Sequence, residues 1–141
     1  TLFEWALRST LIVKTPEMNR GMVCKEIVSA VDVYPSLMEL CGFKMPYPAN
    51  GESFVPLLSG EKPSKWRNVA FSYFKQGVTV RTPRYRFTQY FRDAQPAIEL
   101  YDHQTDPFEQ KNVAADHPEI VKNMLVDWKK ELEEAEKIYR K

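Results

Sequence analysis

The stretch Asn68–His103, "NVAFSYFKQGVTVRTPRYRFTQYFRDAQPAIELYDH", reads as four short strands: "NVAFSYF", "VTVRT", "YRFTQYF" and "AIELYDH". β-Branched and aromatic residues dominate each run, and such side chains suit a pleated, half-buried surface. "TPRY" (82–85) joins the middle pair as a hairpin, because Pro presets φ at a turn position. These strands run into "ELYDHQTDPFEQKNV" (99–113), where Glu99, Asp102, His103, Asp106, Glu109 and Lys111 fall close together. The carboxylates lack the glycine and the spacing of an EF-hand loop. Asp106-Pro107 is turn chemistry instead: Asp bonds to the backbone while Pro fixes φ, and Asn112 can act similarly. The segment therefore reads as a chain reversal built from turn-forming residues.

Downstream, Ile120, Met124, Leu125, Trp128, Leu132 and Ala135 recur at spacings of three and four, which predicts one helix from about Pro118 to Tyr139. Asp116 and Glu119 have the spacing of a capping box. The outward face, "KKELEEAEK", alternates in charge as a solvated surface does. Four antiparallel strands under one amphipathic helix make a small α+β unit.

Upstream, "FEWALRS" reads as two turns of helix, with Glu4 and Arg8 spaced to pair at i,i+4. "TLIVKT" (10–15) reads as a buried strand ended by Pro16. "VDVYPSLMELCGF" reads as a core helix with Asp32 as N-cap and Gly42 just past its end. Val33, Leu37, Leu40 and Cys41 share its expected inner face, so Cys41 is expected to be buried. "KMPYPANGESFVPLLSGEKPSKW" (44–66) is a proline-rich loop anchored by "FVPLL".

At 141 residues, 43% hydrophobic and 13% aromatic, the chain can form a real core. Twenty basic residues against nineteen acidic ones leave +1, which gives no electrostatic case for nucleic acid or a charged membrane surface. No apolar run approaches the ~18 residues of a membrane span. The first residues lack the features of a signal peptide, and the absence of an initiator Met suggests that the chain starts inside something larger. Cys24 and Cys41 fit neither a zinc site nor a Cys-x-x-Cys motif. His103 and His117 read as surface or capping residues, and there is no Gly-x-Ser-x-Gly elbow. Lys75, Arg81, Arg84 and Arg86 crowd among Tyr73, Phe74, Tyr85 and Phe87, a set that reads as a solvated sheet face or as anion recognition. RNA stacking is disfavoured by the balanced charge.

Taken in order, these segments resemble the sulfatase family. "TLFEWALRSTLIVKTPEM" resembles its short helix with Glu and Arg four apart, followed by a core strand. "VSAVDVYPSLMELCGFKMP" is similar to its Val-Asp-Leu-Tyr-Pro-Thr-Leu helix, and "GESFVPLLSGE" to its Gly-x-Ser-Leu-x-Pro-Leu-Leu segment. "VRTPRYRFTQY" resembles its Arg-Thr-x-x-Tyr-Arg-Tyr hairpin. "ELYDHQTDPFEQKNVA" resembles Glu-Leu-Tyr-Asp-x-x-x-Asp-Pro-x-Glu-x-x-Asn. The hairpin and "SYFK" look closest to iduronate-2-sulfatase-like members. One departure is "RSTLIV" from Arg8, where the family commonly has Arg-Val-Pro-Leu-Ile.

The resemblance implies an α/β fold: the last strand and helix of a large alkaline-phosphatase-like domain in residues 1–67, then a C-terminal subdomain in 68–141. It implies hydrolysis of sulfate esters, on a sulfated sugar, by a formylglycine made within Cys/Ser-x-Pro-x-Arg beside a carboxylate-bound calcium. No such motif occurs in this chain. The calcium ligands precede the matched region, and a sulfate-contacting lysine is expected just upstream of Thr1. The implied partner is therefore an N-terminal portion of the same sulfatase, with self-association if that portion is missing. Catalytic and metal-binding residues are expected to be absent here. Lys75 of "SYFK" is the one expected substrate contact. An exported, periplasmic or lysosomal setting follows by the same resemblance, without nucleic-acid or membrane partners. The competing readings are a freestanding interaction module and a phosphatase or phosphodiesterase relative.

Overall fold

The computed structural model describes residues 1–60, 65–94 and 96–139. Residues 61–64 of the proline-rich loop lie outside them. The chain forms two compact units: Thr1–Ser9 with Phe71–Lys141, and Thr10–Ala70.

The first unit is a four-stranded sheet in the order β1-β2-β3-β4, with β1 Ala70–Phe74, β2 Gly77–Arg81, β3 Tyr85–Tyr90 and β4 Ile98–Asp102. β2 and β3 pair antiparallel with Val80 opposite Phe87, and β3 and β4 with Phe87 opposite Leu100. The "TPRY" hairpin closes as expected: the Thr82 N–H donates to the Tyr85 carbonyl at 2.8 Å, and the Thr82 hydroxyl accepts the Tyr85 N–H at 3.0 Å. Alternation aims Val78, Phe87 and Leu100 at one face, where all three are fully buried. Met124, Leu132 and Ala135 cover that face. Each large apolar side chain so buried contributes about 1.5–3 kcal/mol.

The C-terminal helix is broken in two, α3 (Pro118–Asp127) and α4 (Lys129–Tyr139), in chain order after α1 (Glu4–Leu7) and α2 (Val33–Leu40). Trp128 leaves helical dihedrals at φ −113°, ψ 22°. Its indole packs edge-on against Phe71, with centroids 5.3 Å apart. The break is a kink, since Trp128 N–H still reaches the Met124 carbonyl and its own carbonyl accepts from Leu132. The capping box does not form: His117 is the N-cap without a side-chain bond, and Asp116 pairs with Lys111 Nζ at 2.9 Å.

In the second unit the expected inner face of α2 is not the buried one. Asp32, Pro35 and Ser36 are buried, whereas Leu37 and Leu40 are exposed and both cysteines are free and exposed. Polar bonding decides this. Asp32 accepts the N–H groups of Ser29 (2.7 Å) and Glu52 (2.8 Å) and pairs with Arg67 at 2.8 Å. The Ser36 hydroxyl donates to the Asp32 carbonyl and accepts the Phe54 N–H at 2.8 Å. Gly51 permits this seam, because a Cβ there would lie 2.0 Å from the Val31 carbonyl oxygen. Gly42, at φ 70°, ends the helix as expected.

The run Thr10–Thr15, expected as a buried strand, has no strand pairing, and Ile12 is 85% exposed. A strand exists only against a neighbour that satisfies its backbone groups, and no described segment provides one. Nearby, a cavity of about 640 Å³ is lined by Leu11, Met18, Met22, Val28, Phe54 and Leu57, among others. No helix among the described residues is long and apolar enough to cross a membrane.

Candidate functional site: a buried ion cluster and a cationic turn

Register places Thr79, Arg81, Arg86, Thr88, Glu99 and Tyr101 on the sheet face opposite the helices. A polar sheet face normally meets water, yet here α1 supplies Glu4 to it. Arg86, only 3% exposed, donates from Nη2 to Glu4 Oε2 and from Nε to Glu109 Oε1 at 2.6 Å. Arg81 Nε reaches Glu4 Oε2 at 3.2 Å, and His103 Nε2 lies 2.7 Å from Glu109 Oε1. The Glu4 N–H closes the set by donating to Glu109 Oε2 at 2.7 Å. Phe3 flanks it, its ring 5.8 Å from that of Tyr101.

Burial pushes the Glu109 carboxyl up, but the bonds from His103 and the Glu4 N–H, with the Arg86 charge, outweigh that and hold it below the ordinary range. Glu4 is likewise held down, burial being outweighed by Arg86 and Arg81. Glu109 sits at φ 55°, a left-handed conformation unusual for a side-chain-bearing residue. Its bonds to the Arg86 and His103 side chains and to the Glu4 N–H fix it there.

Ligand atoms of Glu4, His103 and Glu109 lie within 4.8 Å of one another. This set does not fit the calcium that the resemblance implies. Calcium takes six to eight oxygens, whereas here two guanidinium groups already neutralise the carboxylates and the third ligand atom is an imidazole nitrogen.

The cluster revises two expectations. Arg86 and Arg84 do not share an exposed face: Arg84 lies in the turn with its guanidinium on Asp102 at 2.8 Å, while Arg86 is interior. His103 is no surface residue, with its side chain 7% exposed. The missed signal was Glu4, whose spacing to Arg8 suggested a helix pair. That contact is 4.0 Å, and its nearer partners lie far along the chain. The acidic turn itself is architectural. Asp106 accepts the Lys111 N–H at 2.9 Å, and Asn112 accepts the Leu100 N–H and donates to the Ile98 carbonyl, stitching β4 to the approach to α3.

Lys75 stands apart from this cluster. With Gln76 it forms the turn between β1 and β2, exposed, at φ 51°, its Nζ 5.6 Å from the Phe74 ring centroid.

The family model described as N-sulphoglucosamine sulphohydrolase, C-terminal, matches residues 1–138. The chain belongs to this sulfatase C-terminal family. Arylsulfatase K of Xenopus laevis is 29% identical over 138 residues, 88% of this chain and 26% of its own length. The Delta 4,5-hexuronate-2-O-sulfatase of Bacteroides thetaiotaomicron is 36% identical over 94 residues, 61% of this chain and 19% of its own. A solved 2-O GAG sulfatase superposes with a TM-score of 0.62 at 30% identity, over 77% of this chain and 25% of that one. The chain spans about a quarter of the length of the curated arylsulfatases K that it matches. The expected fold, a mixed α/β architecture with a four-stranded antiparallel sheet against C-terminal helices, holds for this sulfatase family member.

Proposed function

We propose that this chain is the C-terminal part of a sulfatase that hydrolyses sulfate esters on a sulfated sugar, and that it supplies architecture and substrate contacts, not the chemistry. The observation that supports this most is the family match over residues 1–138, within which the acidic motif is consumed by structure. Nucleophile and metal would come from an N-terminal portion: formylglycine would attack the ester and calcium would stabilise the charge that develops on it. Residues 68–141 then form the C-terminal subdomain, with Glu4 clamping the Thr1–Ser9 segment to its sheet. Exposed Leu11, Ile12, Val23 and Leu37 favour burial against that N-terminal portion, and self-association in its absence. An exported or lysosomal setting goes with this reading.

Lys75 contacts the substrate in this account. A left-handed backbone at a residue other than glycine costs about 1–3 kcal/mol and collects at binding sites, which supports a role at this exposed turn. The test is to read the coding sequence upstream for Cys/Ser-x-Pro-x-Arg and to assay the isolated chain on an aryl sulfate. The motif upstream and no turnover are expected; turnover by the isolated chain refutes the reading.

A further inference from the structure

The end of the sheet that carries Lys75 carries a second cation braced in the same way. Arg92 follows β3, and its guanidinium carbon lies 4.1 Å from the centroid of the Tyr90 ring. The Phe91 N–H donates to the Gln76 carbonyl at 2.7 Å, tying the residue before Arg92 to the residue after Lys75. The two cations thus project from adjoining segments, each over an aromatic ring. The Tyr90 ring is itself held. A Cβ on Gly77 would meet Tyr90 Cδ1 and Leu2 Cδ1 at 2.8 Å each, so only glycine leaves room for both. The Tyr90 hydroxyl donates to Glu99 Oε2 at 3.2 Å, and burial pushes that phenol up to about 12, so it remains a donor at neutral pH.

We propose that Arg92 and Lys75 form a subsite for a non-reacting sulfate or carboxylate group on an anionic sugar. The proposal rests on the sulfatase reading above and adds a residue and a ligand group to it. A guanidinium offers two parallel donors that match the geometry of either anion, whereas an ammonium acts as a point charge. Stacking on Tyr90 restricts the arginine beforehand, which lowers the entropy lost on binding. Phe74, 45% exposed, adds aromatic surface for the C–H face of a sugar ring. Asp93, next in sequence, and Glu99, whose carboxyl feels the Arg92 charge, are the counter-charges beside this arginine.

The experiment is steady-state kinetics of the longer protein containing this chain, on a disulfated glycosaminoglycan disaccharide. Arg92→Gln and Lys75→Gln should each raise KM about tenfold with kcat little changed, the scale of a lost hydrogen bond to a charged group. Lys111→Gln, an exposed cation paired with Asp116, should match the wild type. A KM for Arg92→Gln equal to that of the wild type, or an equal rise in Lys111→Gln, overturns the subsite while leaving sulfate release by the wild type, and with it the sulfatase reading, intact. If the wild type releases no sulfate, the sulfatase reading fails. NMR titration of the isolated chain with the same disaccharide then decides: shifts confined to residues 74–77 and 90–93 support the subsite, and their absence overturns it. A desulfated uronate disaccharide used as an inhibitor separates the anions. Inhibition weakened by Arg92→Gln assigns the carboxylate, and equal or absent inhibition assigns the sulfate.

Discussion

Replacing Arg86 with Met tests whether the ion cluster holds the sheet unit together. The guanidinium is 3% exposed and joins Glu4 to Glu109, whose own side chain is 1% exposed. Methionine fills much of the volume, so the loss is mainly electrostatic. Removing one partner of a buried pair costs about 3–5 kcal/mol because the remaining charge stays desolvated. Arg81 still faces Glu4 and His103 still faces Glu109, so the lower end applies, about 3 kcal/mol at pH 7. Both carboxylates have pKa values held below 4.5 in the fold, where burial is outweighed by their hydrogen bonds and cationic neighbours. A depressed carboxyl contributes stability above its unfolded pKa and loses it as pH falls through the folded value. The variant lacks the part of that contribution that Arg86 supplies to each carboxyl. Its deficit is therefore full above the ordinary value of 4.5 and shrinks as pH drops below it. Urea unfolding followed by circular dichroism, repeated from pH 7 to pH 3, measures this. A deficit under about 1 kcal/mol at pH 7, the size of an exposed pair, refutes the reasoning, as does one that grows on acidification.

Gly51→Ala drives a methyl group against the Val31 carbonyl and should cost about 1–3 kcal/mol or more, read as lost amide-exchange protection around Asp32 and Phe54; unchanged protection contradicts the seam. Asp106→Ala removes the acceptor for the Lys111 N–H and should cost about 0.5–2 kcal/mol in thermal unfolding. It should leave calcium titrations unchanged, and a calcium site lost in this variant counts against a structural turn. Light scattering of the isolated chain across a concentration series should show association through its exposed apolar residues, and a strict monomer opposes that.

The sheet was legible because its information is local. Val78, Val80, Phe87 and Leu100 announce one buried face by alternation, and Pro83 and Asp106 announce turns. The helical stripe was legible for the same reason, while the kink was not, since it depends on Trp128 meeting Phe71. The ion cluster was hidden by distance: Glu4 and Arg86 are 82 positions apart, and periodicity says nothing about which segment covers a polar face. α2 misled because its buried face is polar. Hydropathy ranks Leu37 above Ser36, but the bonds of Ser36 and Asp32 fix the orientation. The run Leu11–Val13 has the composition of an interior strand, and composition cannot supply the neighbour that a strand needs.

The central claim is that this chain completes a sulfatase without containing its chemistry. The direct measurement is sulfate release from a sulfated disaccharide by the 141-residue chain alone and by a longer protein that joins it to an N-terminal sulfatase portion. Release by the longer protein and none above background by the isolated chain is expected. Release by the isolated chain, or none by a longer protein carrying an intact Cys/Ser-x-Pro-x-Arg motif, contradicts it.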